Sequence, residues 1–206
     1  MKLFRLFSLS LLLIVSALMP TGVLADDFDP MAANIEENIA HPAVSDKASA
    51  KVAAAMKQLI RALQNAGYDA EGVRKGEVAL VTIPCSDLFA PNSVELLPSA
   101  KGKLAPLMPY MKRTDNYKVI LAVHADNTGD DLYAERLTAD RANAIDEFYY
   151  EANGNQDIDL IPYGLGADEP VSPNIGVENR AKNRRVEIYF VPTEVLIDKA
   201  RKRQDN

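Results

Sequence analysis

The sequence predicts an α+β fold: a two-layer sandwich whose mixed β-sheet, in β-α-β-α-β-β element order, is covered by helices, with one further helix ahead of it. Three observations carry this. Four runs rich in β-branched and aromatic residues, at 77–83, 117–125, 157–163 and 182–191, have strand character. Segments with apolar residues at helical spacing separate the first three of them. Another apolar helical stripe stands before the first strand. Strands alternating with helices of this length imply crossovers that lay helices over one face of the sheet, and the alternation alone also fits an α/β sandwich.

Residues 1–25 read as a cleaved secretory signal. Lys2 and Arg5 give a basic start, 6–18 is mostly apolar, and Val23-Leu24-Ala25 supplies small residues just before Asp26. Pro20 and Gly22 interrupt the apolar run, which is short for a membrane span. Asp26 stands where a lipid anchor would need a cysteine. Residues 26–44, with Pro30 and Pro42, read as a linker or loosely held arm. A helical segment is expected within 45–74. Ser45 opens it, Val52, Met56, Leu59, Ile60 and Leu63 share one stripe, and Gly67 offers a stop. That stripe must bury against the main domain, an envelope protein or a second copy of the chain.

The run at 77–83 (EVALVTI) is the first strand and Pro84 ends it. Cys85 packs as a small apolar residue. Residues 88–93 form a loop. A helix over 99–112 would turn Leu104, Leu107, Met108 and Met111 inward, against the objection that Pro106 and Pro109 each remove a backbone donor. The second strand is 117–125. Asp130 and Asp131 supply charge that suits the dipole of the next helix, which runs to about 151 with Leu137, Ile145, Phe148 and Tyr149 inward before Asn153-Gly154. The third strand is 157–163. A loop rich in Gly and Pro spans 164–179. In the fourth strand Val186, Ile188 and Phe190 share one face, headed by Arg184. Residues 193–206 read as a frayed helix or tail.

Composition excludes several functions. A net charge of −6, becoming −8 once Lys2 and Arg5 are removed, argues against nucleic acid as a partner. A single cysteine leaves no internal disulfide, and two histidines are too few for a His-rich metal cluster. No cofactor motif, HExxH or Ser/His/Asp order stands out, so an enzyme is not expected.

Two charges break the pattern. Asp126 closes a strand, and Arg141 lies four residues after Leu137 and four before Ile145, on the inward face of a helix. A guanidinium there needs a partner. One reading is a structural salt bridge to Asp126 or a snorkelling side chain. The other is a two-pronged receptor whose carboxylate holds an amine and whose guanidinium holds a carboxylate. Asp126 opposite an arginine would have a depressed pKa, which suits binding better than general-base work.

Three motifs, His124-Ala125-Asp126-Asn127-Thr128-Gly129, Leu137-Thr138-Ala139-Asp140-Arg141-Ala142 and Asn183-Arg184-Arg185-Val186-Glu187, resemble the OmpA C-terminal-like (peptidoglycan-associated) domain family. That family includes peptidoglycan-associated lipoproteins and flagellar stator proteins. The likeness runs over about 77–191, implying an OmpA-like domain at 75–192 in a periplasmic protein associated with the cell wall or outer membrane. The resemblance implies non-covalent peptidoglycan binding through the diaminopimelate of the stem peptide. Asp126 would take its free ammonium and Arg141 the adjacent carboxylate, with Arg184 supporting that carboxylate or bracing the pocket. Thr128 and the backbone at Ala125 would line a strand-to-helix turn with free amide donors, and Asn92 is a further candidate. His124 reads as a structural hydrogen-bonding residue. The sequence departs from the family pattern at Val123, Ala125, Ala134 and Asn179; the asparagine missing at 134 removes a ligand hydrogen bond worth about 0.5–1.5 kcal/mol. These departures motivate an alternative, an envelope interaction scaffold with weak or lost wall binding, whose partner would dock on the 45–66 helix.

Overall fold

The computed structural model describes residues 28–156 and 158–202; the expected signal peptide lies outside them. Their centre is a five-stranded mixed sheet. Its strands are β1 (Asp69–Val73), β2 (Val78–Pro84), β3 (Tyr117–Val123), β4 (Leu160–Gly164) and β5 (Arg185–Pro192), in the spatial order β1-β2-β5-β3-β4. The β3–β4 pair is parallel and the other three are antiparallel. A parallel pair needs a crossover connection, and the 22-residue helix between those two strands supplies it.

Period-two alternation sorts the side chains. Val119, Leu121 and Val123 of β3 join Val186, Ile188 and Phe190 of β5 on one face, while Ile120 and Ala122 join Val78 and Val191 on the other. β3 is buried along its whole length, as a strand packed on both faces must be. The larger core holds α2 (Asp46–Asn65), α5 (Asp131–Ala152) and the C-terminal α7 (Glu194–Lys202). In α2 the residues Val52, Met56, Leu59 and Leu63 are consumed in this core. That stripe is therefore closed to an outside partner, and to a second copy.

The second face is not bare, and here the structure corrects the expectation of helices on one face. Residues of the expected loose arm form α1 (Ile35–Ala40), opened by a capping box in which the Asn34 side chain accepts from the Glu37 amide at 2.8 Å and Glu37 accepts from the Asn34 amide at 3.0 Å. Ile35 joins Val78, Ile120, Ala122 and Val191 in the smaller apolar cluster on this face. Fully buried Asn38 donates to Pro30 O (2.7 Å) and the Tyr163 hydroxyl (2.6 Å) and accepts from Lys118 Nζ (2.9 Å). Lys118 also donates to His41 O at 2.9 Å. Burial pulls its ammonium down to about 8. The segment 28–42 is thus a strap across the sheet.

Other boundaries shift for local reasons. β1 falls in a stretch read as part of the N-terminal helical segment, because only Ala70 of its five residues is buried and no alternation marks it. The expected 99–112 helix breaks into α3 (Ala100–Leu104), a 3-10 turn (Ala105–Leu107) and α4 (Met108–Met111), with Pro106 and Pro109 at the breaks. β3 stops at Val123, two residues short of the predicted end. α6 (Val177–Asn183) occupies the end of the expected glycine-rich loop, so β5 begins at Arg185 rather than at 182. The tail is an amphipathic helix whose Ile197 and Ala200 are buried.

Candidate functional site

The candidate site sits where β3 and β5 meet the first turns of α5. Past Val123 the chain stays tethered to its neighbours: the His124 amide donates to Arg185 O (2.9 Å) and the Ala125 amide to Gly166 O (2.6 Å). Asp126 follows, then a turn that needs Gly129 at φ 102°. Asp130 caps α5 by accepting from the Tyr133 amide at 3.2 Å.

Asp126 is only 6% exposed. One carboxylate oxygen accepts from the Thr128 amide at 2.8 Å, and the other accepts from Nη1 of Arg184 in a short ion pair. Burial alone would raise its pKa. The Thr128 side chain and amide, together with the Arg184 guanidinium, outweigh that and hold the group ionised below the usual range. Arg184 stands between α6 and β5, where Asn183 anchors the approach. Asn183 is fully buried, donates to Ser172 O (2.9 Å) and Asn174 Oδ1 (2.6 Å), and accepts from the Ser172 amide (3.0 Å). The Arg184 side chain is 41% exposed.

Arg141 is where helical spacing puts it, on the inward face of α5 and 5% exposed. Its partner is not Asp126. Nε donates to Ser93 O at 2.8 Å, Nη2 to Ala90 O at 3.2 Å, and the guanidinium lies 4.9 Å from the centre of the Phe89 ring. Arg141 therefore ties down the loop closed by the Phe89–Leu96 bridge. Asn92 is exposed at the tip of that loop with a left-handed φ of 57°. Beneath the site lies Cys85, whose buried thiol is pushed up to about 11; Arg141, Arg184 and Arg185 all bear on it and oppose that rise.

The structure thus brings Asp126, Thr128 and Arg184 together and bonds Arg141 instead to the loop of Asn92. The expectation of free amide donors is corrected. The Ala125 amide is taken by Gly166 and the Thr128 amide by Asp126 itself. The roles of Asn183 and Thr138 were not read from the sequence. Thr138 donates to Ala134 O and accepts from the Gly166 amide, both at 2.9 Å, fixing the loop after β4 to α5. Its only advance signal was its place in the second motif, four residues before the inward-facing Ala142.

His124 heads a buried polar cluster on the second face. Its Nε2 lies 3.2 Å from Glu187, which also accepts from Arg185 Nε (2.7 Å) and the Tyr189 hydroxyl (2.5 Å). Burial would raise the Glu187 pKa, but His124, Arg185 and Tyr189 together bring it to about 2. Among the described residues no group of acidic, His or Cys side chains is arranged to hold a metal ion.

Residues 88–184 match the model of the OmpA family. The outer-membrane lipoprotein YfiB of Pseudomonas aeruginosa is 35% identical over 107 residues, 52% of this chain and 62% of that protein. The peptidoglycan-binding protein ArfA of Mycobacterium tuberculosis is 30% identical over 118 residues, 51% of this chain and 36% of that protein. The chain thus spans less than two thirds of the length of these curated relatives. Among solved structures, a MotB-like protein from Desulfovibrio vulgaris superposes with a TM-score of 0.60 at 26% identity, covering 70% of this chain and 96% of that one.

Proposed function

From the match of residues 88–184 to the OmpA family model, we propose that the protein binds peptidoglycan non-covalently through the diaminopimelate of the stem peptide, tethering part of the cell envelope to the wall. The observation that carries this reading is the state of Asp126. A carboxylate so buried, yet kept ionised, and whose cationic partner is half in solvent, is suited to receive a ligand ammonium. Arg184 stands beside it as the guanidinium for the neighbouring carboxylate. Arg141 contributes from behind, as positive charge and as the clamp on the 89–96 loop. The name of ArfA, a peptidoglycan-binding protein, and that of YfiB, an outer-membrane lipoprotein, support the same reading. On this account the protein acts by reversible capture, with no bond made or broken.

Co-sedimentation with purified sacculi tests it. The wild type is expected in the pellet. Asp126→Ala, folded by circular dichroism, is expected to stay in the supernatant with a loss of about tenfold or more in retention. Equal retention of both proteins contradicts the reading. The consumed amides of Ala125 and Thr128 favour a second reading, an envelope scaffold without wall binding; failure of the wild type itself to sediment would favour it.

A further inference from the structure

Three arginines bear on Cys85, and they differ in freedom. Arg141 is buried, with Nε and Nη2 spent on the carbonyls of Ser93 and Ala90. Arg185 is equally buried and donates to Glu187, to Glu169 O (3.1 Å) and to Asn183 O (3.3 Å). Arg184 reaches solvent, and among the described residues its side chain bonds Asp126 through Nη1 alone.

We propose that Arg184 is an internal stand-in for the ligand's ammonium group: it neutralises Asp126 in the free protein and is exchanged off when a zwitterionic centre arrives. This rests on the stem-peptide reading above. A carboxylate as buried as Asp126 cannot be left without a cation. An incoming ammonium has the same charge and the same donor role, so it takes the oxygen that Arg184 holds only as Arg184 leaves. Leaving is cheap for a half-exposed side chain held by one nitrogen. The released guanidinium then meets the carboxylate that neighbours the ammonium and can grip it with two parallel bonds. One internal ion pair becomes two intermolecular pairs, and no charge is stranded. A ligand with an amine alone strands Arg184 beside a second cation. A ligand with a carboxylate alone strips Asp126 of its partner. Arg184 therefore makes recognition conditional on both charges being present on one centre, and it is a specificity-determining residue.

The probes are two tripeptides, L-alanyl-γ-D-glutamyl-meso-diaminopimelate and its L-lysine counterpart, which lacks the carboxylate beside the distal amine. By calorimetry the wild type is expected to prefer the first by about tenfold or more. Arg184→Gln keeps a donor for Asp126 but carries no charge. It is expected to bring the two affinities within about threefold of each other, by weakening the diaminopimelate peptide and sparing the lysine one. Arg184→Lys is expected to lie between. Guanidinium resonances add a test on the unaltered protein: that of Arg184 should shift on saturation with the diaminopimelate peptide and that of Arg141 should not. A variant that keeps the wild-type preference, a variant that weakens both peptides alike, or an unmoved Arg184 resonance overturns the exchange while leaving stem-peptide binding in place. A wild type that binds neither peptide overturns both.

Discussion

At the scale of single residues, the site turns on which partner each charge has. Asp126 and Arg141 were legible as anomalies: a strand-closing carboxylate and a guanidinium on an inward helical face. Their partners were not legible. Arg141 satisfies its burial with two backbone carbonyls from a loop some fifty positions away in sequence, and no spacing rule reports a contact to a main-chain oxygen. Glu187 was hidden for a related reason, since its neighbours His124, Arg185 and Tyr189 converge only once β3 and β5 pair. That cluster makes a pH prediction. The Glu187 pKa falls from 4.5 to about 2 on folding. A depressed carboxyl stabilises the fold fully above its unfolded value and loses that contribution as pH drops through the folded one. Between about pH 4.5 and 2 the domain should lose on the order of 3 kcal/mol from this group. Denaturant titrations of the wild type and Glu187→Gln across that range check it. The wild-type curve should fall more steeply; parallel curves contradict the assignment.

At the scale of elements, the long signals were read well and the short ones were not. α2 and α5 carry stripes of many residues, and β2, β3 and β5 are rich in β-branched residues, so each lies within a few positions of its expected place. β1, α1 and α6 have five to seven residues each, too few to establish a period, and they owe their form to contacts with the sheet. β4 packs closely on α5 at Gly164. A Cβ on Gly164 would lie 2.2 Å from Ala139 N, 2.5 Å from Ala139 Cα and 2.7 Å from the Thr138 carbonyl carbon. Those are backbone atoms of a helix and cannot step aside. Gly164→Ala is expected to cost about 3 kcal/mol or more, a fall in Tm of roughly 10 °C. A Tm within about 2 °C of wild type would mean that β4 and α5 are not packed this closely.

At the scale of the whole molecule, the sheet serves two masters. One face carries the larger core, the ends of β3 and β5 position the charged site, and the other face is closed by the 28–42 strap through Ile35, Asn38 and Lys118. Beyond Ile35 and Ile39 the strap is held by hydrogen bonds, with Asn38 meeting Tyr163 and Lys118, Lys118 also reaching His41 O, Tyr163 reaching Ala33 O and Arg74 reaching Ile39 O and Pro42 O, so it should open before the domain does. In Asn38→Ala, hydrogen exchange is expected to lose protection over 35–41 while amides of β3 and β5 stay protected. Loss across all three segments together would contradict a separable strap.

Capture of an ammonium by Asp126 is tested most directly by leaving the protein unaltered and changing the ligand. Sacculi whose free diaminopimelate amines have been acetylated keep their glycan and carboxylates but offer Asp126 no ammonium. The wild-type protein is expected to sediment with untreated sacculi and to stay in solution with acetylated ones. Equal sedimentation with both would contradict it.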